Sequence, residues 1–220
     1  MNRTSHSGIR NTVIACVGFV ALVLLAVVYN TTRTPVLSDE ALRELGTFVL
    51  PRPRALAEFS LVNHRSESFG LEQFQGVWSF VYFGFTSCPD ICPVTLSVLS
   101  QVERQLKEQA DVTLYENFQV ILVSVDPERD DVATLKQYVE NFSDRFIGVT
   151  GNNTEIGKLA RQLNVAYGKV PDLSSPVGYQ VEHSGNIVVL NPRGHYHGFI
   201  KMPHSTGQII DSYRTLSANF

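Results

Sequence analysis

Two cysteines separated by three residues are the part of this sequence best equipped for chemistry. Cys88 and Cys92 lie in the stretch FGFTSCPDICPVTL, and each is followed by a proline. Two thiols at this spacing can form a disulfide, exchange disulfides with another protein, or bind a soft metal ion as thiolates. If the segment coils as a helical turn, residues four apart lie on the same side of it, so both sulfurs can hold one ion.

An inert structural disulfide is the least favoured of these three chemistries. Closing so short a loop removes little conformational entropy from the unfolded chain, and a chain of 220 residues can build its core without it. Thioredoxin-like redox enzymes typically use C-x-x-C, which is one residue shorter. Redox exchange therefore stays open despite the unusual spacing, and metal binding stays open but requires further ligands.

Histidines are the candidates for a further ligand. His195 and His197 alternate along a predicted strand and share one face, a pattern more often produced by solvent-facing histidines than by a metal site. His183, in GYQVEHSGN, is placed at the end of a loop before the strand NIVVL, where its side chain can lean over the strand end that carries Cys88. Spacing alone does not choose among the histidines, which also include His64 and His204.

A strand and a helix are expected to position the two cysteines. The apolar run VWSFVYFG predicts a buried central strand, and Pro93 suits the first turn of a helix predicted over residues 93–109. The CPDIC segment then lies in the loop that runs into the helix N-terminus. Free N–H groups and the positive end of the helix dipole lower the pKa of thiols at such a place, which favours thiolates.

Beyond this unit, apolar runs alternate with helical patterns. Strands that are apolar on both faces and separated by helices are typical of an α/β domain with a largely covered central sheet. The last two strands are joined by NPRG, which is hairpin chemistry, so the sheet is expected to be mixed. The predicted strands are EFSLVNH, FQVILVSV, FIGVT, VAYGKV, NIVVL and HYHGFIK, and the predicted helices are DVATLKQYVENF, TEIGKLARQLN and a last one over about 205–217.

An uncharged apolar segment, residues 12–29, precedes this domain. Its eighteen residues would form a helix of about 27 Å, close to the thickness of the hydrocarbon core of a bilayer. Arg3 and Arg10 come before it, so the positive-inside rule places residues 1–11 in the cytoplasm. The stretch VVYNTT lacks a small-residue cleavage pattern, so we expect an uncleaved transmembrane anchor rather than a signal peptide.

The remaining boundaries follow from this anchor. Residues 30–56 carry Thr, Pro and mixed charge, which predicts a linker with a short helix around 38–45. Residues 57–220 form the folded domain. The eleven residues ahead of the span are too few for an organellar transit peptide, so we expect a bacterial inner-membrane protein with this domain in the periplasm. Cys16 lies within the anchor, and a net charge of −3 argues against nucleic acid as a partner.

Four separated motifs resemble the Sco/SenC family of membrane-anchored copper-binding proteins. They are YFGFTSCPDICPVTL, VSVDPERD, RFIGVTG and YQVEHSG, in the order found in that family, and the resemblance extends from about Phe59 to Leu216. Members of this family have thioredoxin-like domains and are associated with the assembly of cytochrome c oxidase. The resemblance therefore implies a thioredoxin-like α/β fold with a mixed central sheet, and one N-terminal transmembrane helix ahead of it.

The resemblance also implies the metal site. In the family, both cysteines of the CPxxC motif and the histidine of the V-x-H-S segment bind copper, which by position are Cys88, Cys92 and His183. Two thiolates and an imidazole suit Cu(I), and the nitrogen can also support Cu(II). Asp90, between the cysteines, is expected to tune the local electrostatic field rather than bind the metal. The segment SVDPERD is expected to be architecture or a partner surface rather than a source of ligands.

These observations leave three functional hypotheses. The first is a copper chaperone that delivers copper to an acceptor protein, a subunit of cytochrome c oxidase. The second is a thiol-disulfide reductase that keeps the cysteines of a copper-site partner reduced, with Cys88 as the attacking thiol. The third is a thiol peroxidase, which is weakly supported because Thr86 lies two residues before Cys88 and peroxidases usually place the threonine three residues before the cysteine.

Overall fold

The structure is a computed structural model that describes residues 4–32, 36–109, 111–173 and 177–220. The chain divides into two compact units, Met1–Val36 and Leu37–Phe220. In the first unit, helix α1 (Thr4–Thr32) includes a window, Arg10–Val27, that is long and apolar enough to cross a membrane. Every side chain described in that window is exposed. The predicted apolar helix over 12–29 is therefore present, and it is a candidate membrane span.

The second unit is built around a mixed sheet of eight strands, in the order β1-β10-β9-β4-β5-β6-β2-β3. Strands β4, β5 and β6 are parallel to one another, and the other pairings are antiparallel. The predicted mixed sheet is confirmed. The strands are β1 (Thr47–Arg54), β2 (Leu61–Asn63), β3 (Ser68–Phe69), β4 (Trp78–Gly84), β5 (Phe118–Ser124), β6 (Ile147–Thr150), β9 (Ile187–Leu190) and β10 (Tyr196–Ile200).

Helices cover both faces of this sheet. Successive side chains of a strand point to opposite faces, so Phe80 and Tyr82 of β4 join one apolar cluster, while Val81 and Phe83 join the other. This explains why β4 is apolar at nearly every position and buried throughout. The helices are α2 (Asp39–Glu44), α3 (Ile91–Glu108), α4 (Val112–Glu116), α5 (Val132–Glu140), α6 (Asn153–Gln162) and α7 (Thr206–Ala218).

The linker predicted over residues 30–56 is shorter than expected. The second compact unit begins at Leu37, the short helix predicted around 38–45 is α2, and residues 47–54 form strand β1, which pairs with β10 at the edge of the sheet. Phe48 stacks on Phe199 with ring centroids 5.1 Å apart. The two prolines in TFVLPRPR argue against a strand in the sequence, because proline is rare in interior strands. Proline is compatible with an edge strand, which β1 is.

A second, two-stranded sheet carries the histidine of interest. Strands β7 (Tyr167–Pro171) and β8 (Tyr179–His183) pair antiparallel, with Tyr167 opposite His183. The prediction that His183 ends a loop was wrong, because YQVEH is a strand. The signal was present in the sequence, since exposed Gln180 and Glu182 alternate with the buried Val181.

Candidate metal centre

The two cysteines lie where β4 passes into α3. Helix α3 begins at Ile91, two residues earlier than predicted, so Cys92 falls in its first turn and Cys88 lies in the loop before it. Cys92 is fully buried, whereas Cys88 is half-buried. Both thiols are free. The buried sulfur is thus fixed by the helix, and the more accessible sulfur is presented by the loop.

Gly84, the last residue of β4, makes room for the buried thiol. A β-carbon at this position would lie 2.8 Å from the Sγ atom of Cys92 and 3.1 Å from a ring carbon of Tyr82. Such distances are shorter than van der Waals contact, so any larger residue would displace Cys92 or Tyr82. The sequence alone does not indicate this role of Gly84, because the role depends on how closely the helix approaches the strand.

His183 reaches the cysteines from the end of β8. Its Nε2 atom lies 3.4 Å from Sγ of Cys92. Its Nδ1 atom lies 3.1 Å from the carbonyl oxygen of Ser184, which can only accept a hydrogen bond, so the proton is assigned to Nδ1. The Nε2 lone pair is then directed at the dithiol, the orientation that a metal ligand needs.

Two aromatic rings hold the imidazole in place. The centroids of Tyr82 and Phe85 lie 5.8 Å and 5.7 Å from that of His183, and both rings meet it almost perpendicularly, at 83° and 87°. Edge-to-face contacts of this kind are favourable and restrict rotation of the ring. Tyr82 and Phe85, which precede Cys88, therefore pack against His183 and also form part of the core.

The three ligand atoms form one cluster. The sulfurs of Cys88 and Cys92 and a ring nitrogen of His183 all lie within 4.8 Å of one another. In the described ranges, no other group of three or more Cys, His, Asp or Glu side chains converges in this way. The structure thus brings together Cys88, Cys92 and His183, the three residues that the resemblance of the sequence motifs indicates.

Proton affinities in the cluster differ between the two thiols. The pKa of the Cys88 thiol is held well below its ordinary value, chiefly by the hydrogen bond that the Cys92 thiol donates to it, against an opposing effect of burial. The pKa of Cys92 is raised by its hydrogen bond with Cys88 and by burial. Cys88 is therefore the thiolate of the metal-free pair, and Cys92 keeps its proton.

The other histidines are held elsewhere. His197 meets Trp78 edge-to-face at 5.0 Å and contacts the side-chain amide of Asn191, so the pair formed with His195 does not approach the cysteines. His64 accepts a hydrogen bond from the backbone N–H of Gly148. His204 contacts the hydroxyl of Thr95 at 3.4 Å and the carbonyl oxygen of Ile200 at 3.2 Å. Each of these three rings contacts protein groups outside the cysteine cluster.

The carboxylates near the site do not join the cluster. Asp90 is exposed just before α3, outside the group of converging ligand atoms. Asp126 and Asp130, in the SVDPERD segment, are fully buried and bonded to protein groups. Asp126 pairs with Arg129, and Asp130 accepts hydrogen bonds from Thr86 and Ser124.

An open groove leads to the histidine. It has a volume of about 430 Å³ and is lined by both strands of the β7–β8 hairpin, from Ala166 to Val170 and from Glu182 to Ser184. His183 forms part of its wall, whereas Cys92 is fully buried. An approaching group can thus reach His183 through this groove.

Comparison with known proteins identifies relatives of this chain. The model of the SCO1/SenC family matches residues 50–218. A protein of Stutzerimonas stutzeri that is provisionally named copper-binding is 34% identical over 83% of this chain and 87% of its own length. The mitochondrial SCO2 homolog of Mus musculus is 39% identical over 74% of this chain, which spans 62% of the mouse protein.

A solved structure shows the same fold. The crystal structure of ScoI from Arabidopsis thaliana with copper bound is similar to this chain with a TM-score of 0.68 and 32% sequence identity, over 74% of this chain and 98% of that one. The likeness confirms the expected α/β, thioredoxin-like fold with a mixed sheet. The region matched by the family model, residues 50–218, includes the loop with the two cysteines and the strand with His183.

Proposed function

Because this chain belongs to the SCO1/SenC family, we propose that it is a copper chaperone that holds copper at Cys88, Cys92 and His183 and passes it to an acceptor protein. The observation that carries the proposal is the approach of the His183 ring nitrogen to the dithiol, 3.4 Å from the Cys92 sulfur. A dithiol alone serves redox chemistry equally well. An imidazole aimed at it adds the third ligand that copper favours.

The ligand set fits copper as cargo. Two thiolates and one imidazole are soft enough for Cu(I), and the nitrogen also supports Cu(II). Binding would displace the proton of Cys92, because metal ligands must be deprotonated. Cys88 is half-buried and His183 borders an open groove, so the ligands of an acceptor can approach without unfolding of the site.

The acceptor and the location belong to the same proposal. We infer that the acceptor is a copper centre of a cytochrome c oxidase subunit, because assembly of that enzyme is the process with which the family is associated. We also infer that α1 anchors the protein in a bacterial inner membrane and that the domain faces the periplasm. The support is the apolar window Arg10–Val27 and the two arginines at or before its start.

Copper stoichiometry tests the proposal. The reduced full-length protein, purified in detergent, is loaded with Cu(I) and dialysed against a competing chelator, next to His183→Ala and His195→Ala. We expect wild type and His195→Ala to keep about one copper per chain and His183→Ala to lose it. Equal retention by all three proteins, or by none, would contradict the role of His183.

The protonation states of the two thiols favour a second function, reduction of a disulfide in a partner protein. The lowered pKa of Cys88, due mainly to the hydrogen bond from Cys92, makes it an attacking thiolate at neutral pH. It can open a disulfide of a partner to form a mixed disulfide, which the sulfur of Cys92 then resolves, leaving a Cys88–Cys92 disulfide and a reduced partner. A dithiol reductant must then regenerate the protein. Reduction of an oxidised copper-site peptide by the metal-free protein tests this activity.

A further inference from the structure

One segment, Ser124–Asp130, contacts both halves of the candidate metal site. It begins at Ser124, the last residue of strand β5, and has the sequence SVDPERD. One half of the site is the loop with Cys88, and the other is the β7–β8 hairpin with His183. The cysteine loop follows β4 of the eight-stranded sheet, whereas the hairpin forms a sheet of its own, so contacts between the two halves help to set their spacing.

Asp130 binds the cysteine loop. Its carboxylate accepts hydrogen bonds from the backbone N–H of Thr86 at 3.0 Å and from the Thr86 hydroxyl at 2.6 Å. A third bond, at 2.7 Å, comes from the hydroxyl of Ser124. Asp130 is fully buried, where hydrogen bonds to a carboxylate are strong. The residue two positions before Cys88 is thus fixed to this segment.

Asp126 binds the hairpin. The Tyr179 hydroxyl donates a 2.9 Å hydrogen bond to its carboxylate, and the Lys169 ammonium lies 3.6 Å away. Arg129 pairs with the same carboxylate. Because side chains alternate along a strand, Tyr179 and His183 of β8 lie on the same face. A bond to Tyr179 therefore restrains the face that presents the imidazole.

Cations on the Tyr179 ring strengthen this attachment. The Lys169 ammonium lies 4.3 Å from the ring centroid, and the Arg129 guanidinium lies 4.9 Å from it. The same guanidinium lies 5.3 Å from the ring centroid of Phe85, which contacts His183. Arg129 therefore touches an aromatic side chain of each half of the site.

We propose that Ser124–Asp130 is a bracket that sets the spacing between the dithiol and His183, with Thr86 and Tyr179 as positioning residues. This inference rests on the proposed function for its copper readout. Asp130 holds the cysteine loop through Thr86, and Asp126 holds the hairpin through Tyr179. Neither carboxylate is a metal ligand, and each acts through the residue that it holds.

If the segment acts as a bracket, its contact with Tyr179 affects copper binding through His183, and its contact with Thr86 affects copper binding through the two cysteines. The test measures Cu(I) affinity by competition with a chelator for Tyr179→Phe and Thr86→Val, each in the wild-type and in the His183→Ala full-length protein. We expect Tyr179→Phe to weaken binding by several-fold to about tenfold in the wild type, as for loss of a charged hydrogen bond, and to have no effect in His183→Ala. Thr86→Val should weaken copper binding in both backgrounds, because it disturbs the cysteine loop and both proteins still bind copper through that dithiol.

Matched variants separate positioning from general damage. Tyr167→Phe removes a hydroxyl from the residue paired with His183 across the hairpin and should leave copper affinity unchanged. Thr86→Ser keeps the hydroxyl and should restore the affinity lost in Thr86→Val. In X-ray absorption of the Cu(I) protein, the nitrogen contribution should fall in Tyr179→Phe and persist in Thr86→Val, a difference that a loss of stability alone would not produce.

The outcomes that overturn the bracket differ from those that overturn the function. The bracket is refuted if wild type binds copper and Tyr179→Phe leaves the copper affinity unchanged. It is also refuted if Tyr179→Phe lowers the copper affinity equally with and without His183. If wild type binds no copper, the proposed function fails. The bracket is then decided by NMR of histidine-labelled, metal-free protein, where the His183 ring signals should move in Tyr179→Phe and stay in place in Tyr167→Phe; unmoved signals in both would refute it.

Discussion

The Nε2 atom of His183 lies 3.4 Å from the Sγ atom of Cys92, although the two residues are 91 positions apart in the chain. The thiol comes from the first turn of α3, and the imidazole comes from the end of a strand in a separate small sheet. With the sulfur of Cys88, these atoms form a set that two different chemistries can use. Several measurements distinguish these chemistries.

The first prediction separates copper binding from thiol chemistry. Cys88→Ser and Cys92→Ser should abolish both copper retention and reduction of a partner disulfide, because both sulfurs serve both reactions. His183→Ala should reduce copper retention far more than reductase activity, because the imidazole is a ligand but forms no covalent bond in thiol exchange. Copper retention and disulfide reduction are measured on the same preparations. Equal loss of both activities in His183→Ala would contradict the separation.

The second prediction concerns the reactivity of Cys88. The hydrogen bond from Cys92 lowers the pKa of this thiol in the folded protein, so its thiolate persists through neutral and mildly acidic pH. Alkylation of the reduced, metal-free protein by iodoacetamide should be nearly independent of pH from neutral down to mildly acidic values. It should decline only as the pH falls through the lowered pKa. Peptide mass spectrometry gives the rate at each cysteine.

The same experiment has internal controls. Cys92 should react only at alkaline pH or after unfolding, because the bond with Cys88 and burial raise its pKa. In Cys92→Ala, loss of the hydrogen bond that stabilises the thiolate should move the Cys88 profile toward higher pH. A Cys88 profile centred near the ordinary thiol value, about 8.5, would show that the thiolate is not stabilised.

The third prediction concerns the space behind Cys92. Gly84→Ala places a methyl group 2.8 Å from the Cys92 sulfur, so we expect a loss of stability of about 1–3 kcal/mol and weaker copper binding. Gly207→Ala, in α7, is the control, since a β-carbon there meets no atom within 4 Å. Thermal unfolding under reducing conditions and chelator competition measure the two effects. Unchanged melting and copper affinity in Gly84→Ala would mean that the strand and helix can move apart.

The fourth prediction concerns the remaining cysteine. Cys16 lies in α1, whereas all three atoms of the cluster come from the unit Leu37–Phe220. Cys16→Ser should therefore leave copper stoichiometry and affinity as in the wild type, while Cys92→Ser should lose copper in the same assay. A change in metal content in Cys16→Ser would assign the Cys16 thiol a part in binding.

Local patterns in the sequence determined the elements around the cysteines. The run VWSFVYFG predicted β4, and Pro93 with the polar loop predicted the start of α3 to within two residues. These succeed because burial of a strand on both faces and the chemistry of a helix start are both expressed in neighbouring residues. The motifs also identified the family and, through it, the three presumed ligands.

Long-range contacts decided what the sequence left open. Spacing did not choose His183 among the histidines, and it did not reveal that β1 completes the edge of the sheet. Gly84 and Asp126 gained their roles in the same way, one from the approach of α3 and the other from Tyr179. Each of these facts depends on atoms that are distant in the chain and adjacent in space. A one-dimensional pattern records a residue's neighbours in the chain, whereas folding sets its neighbours in space.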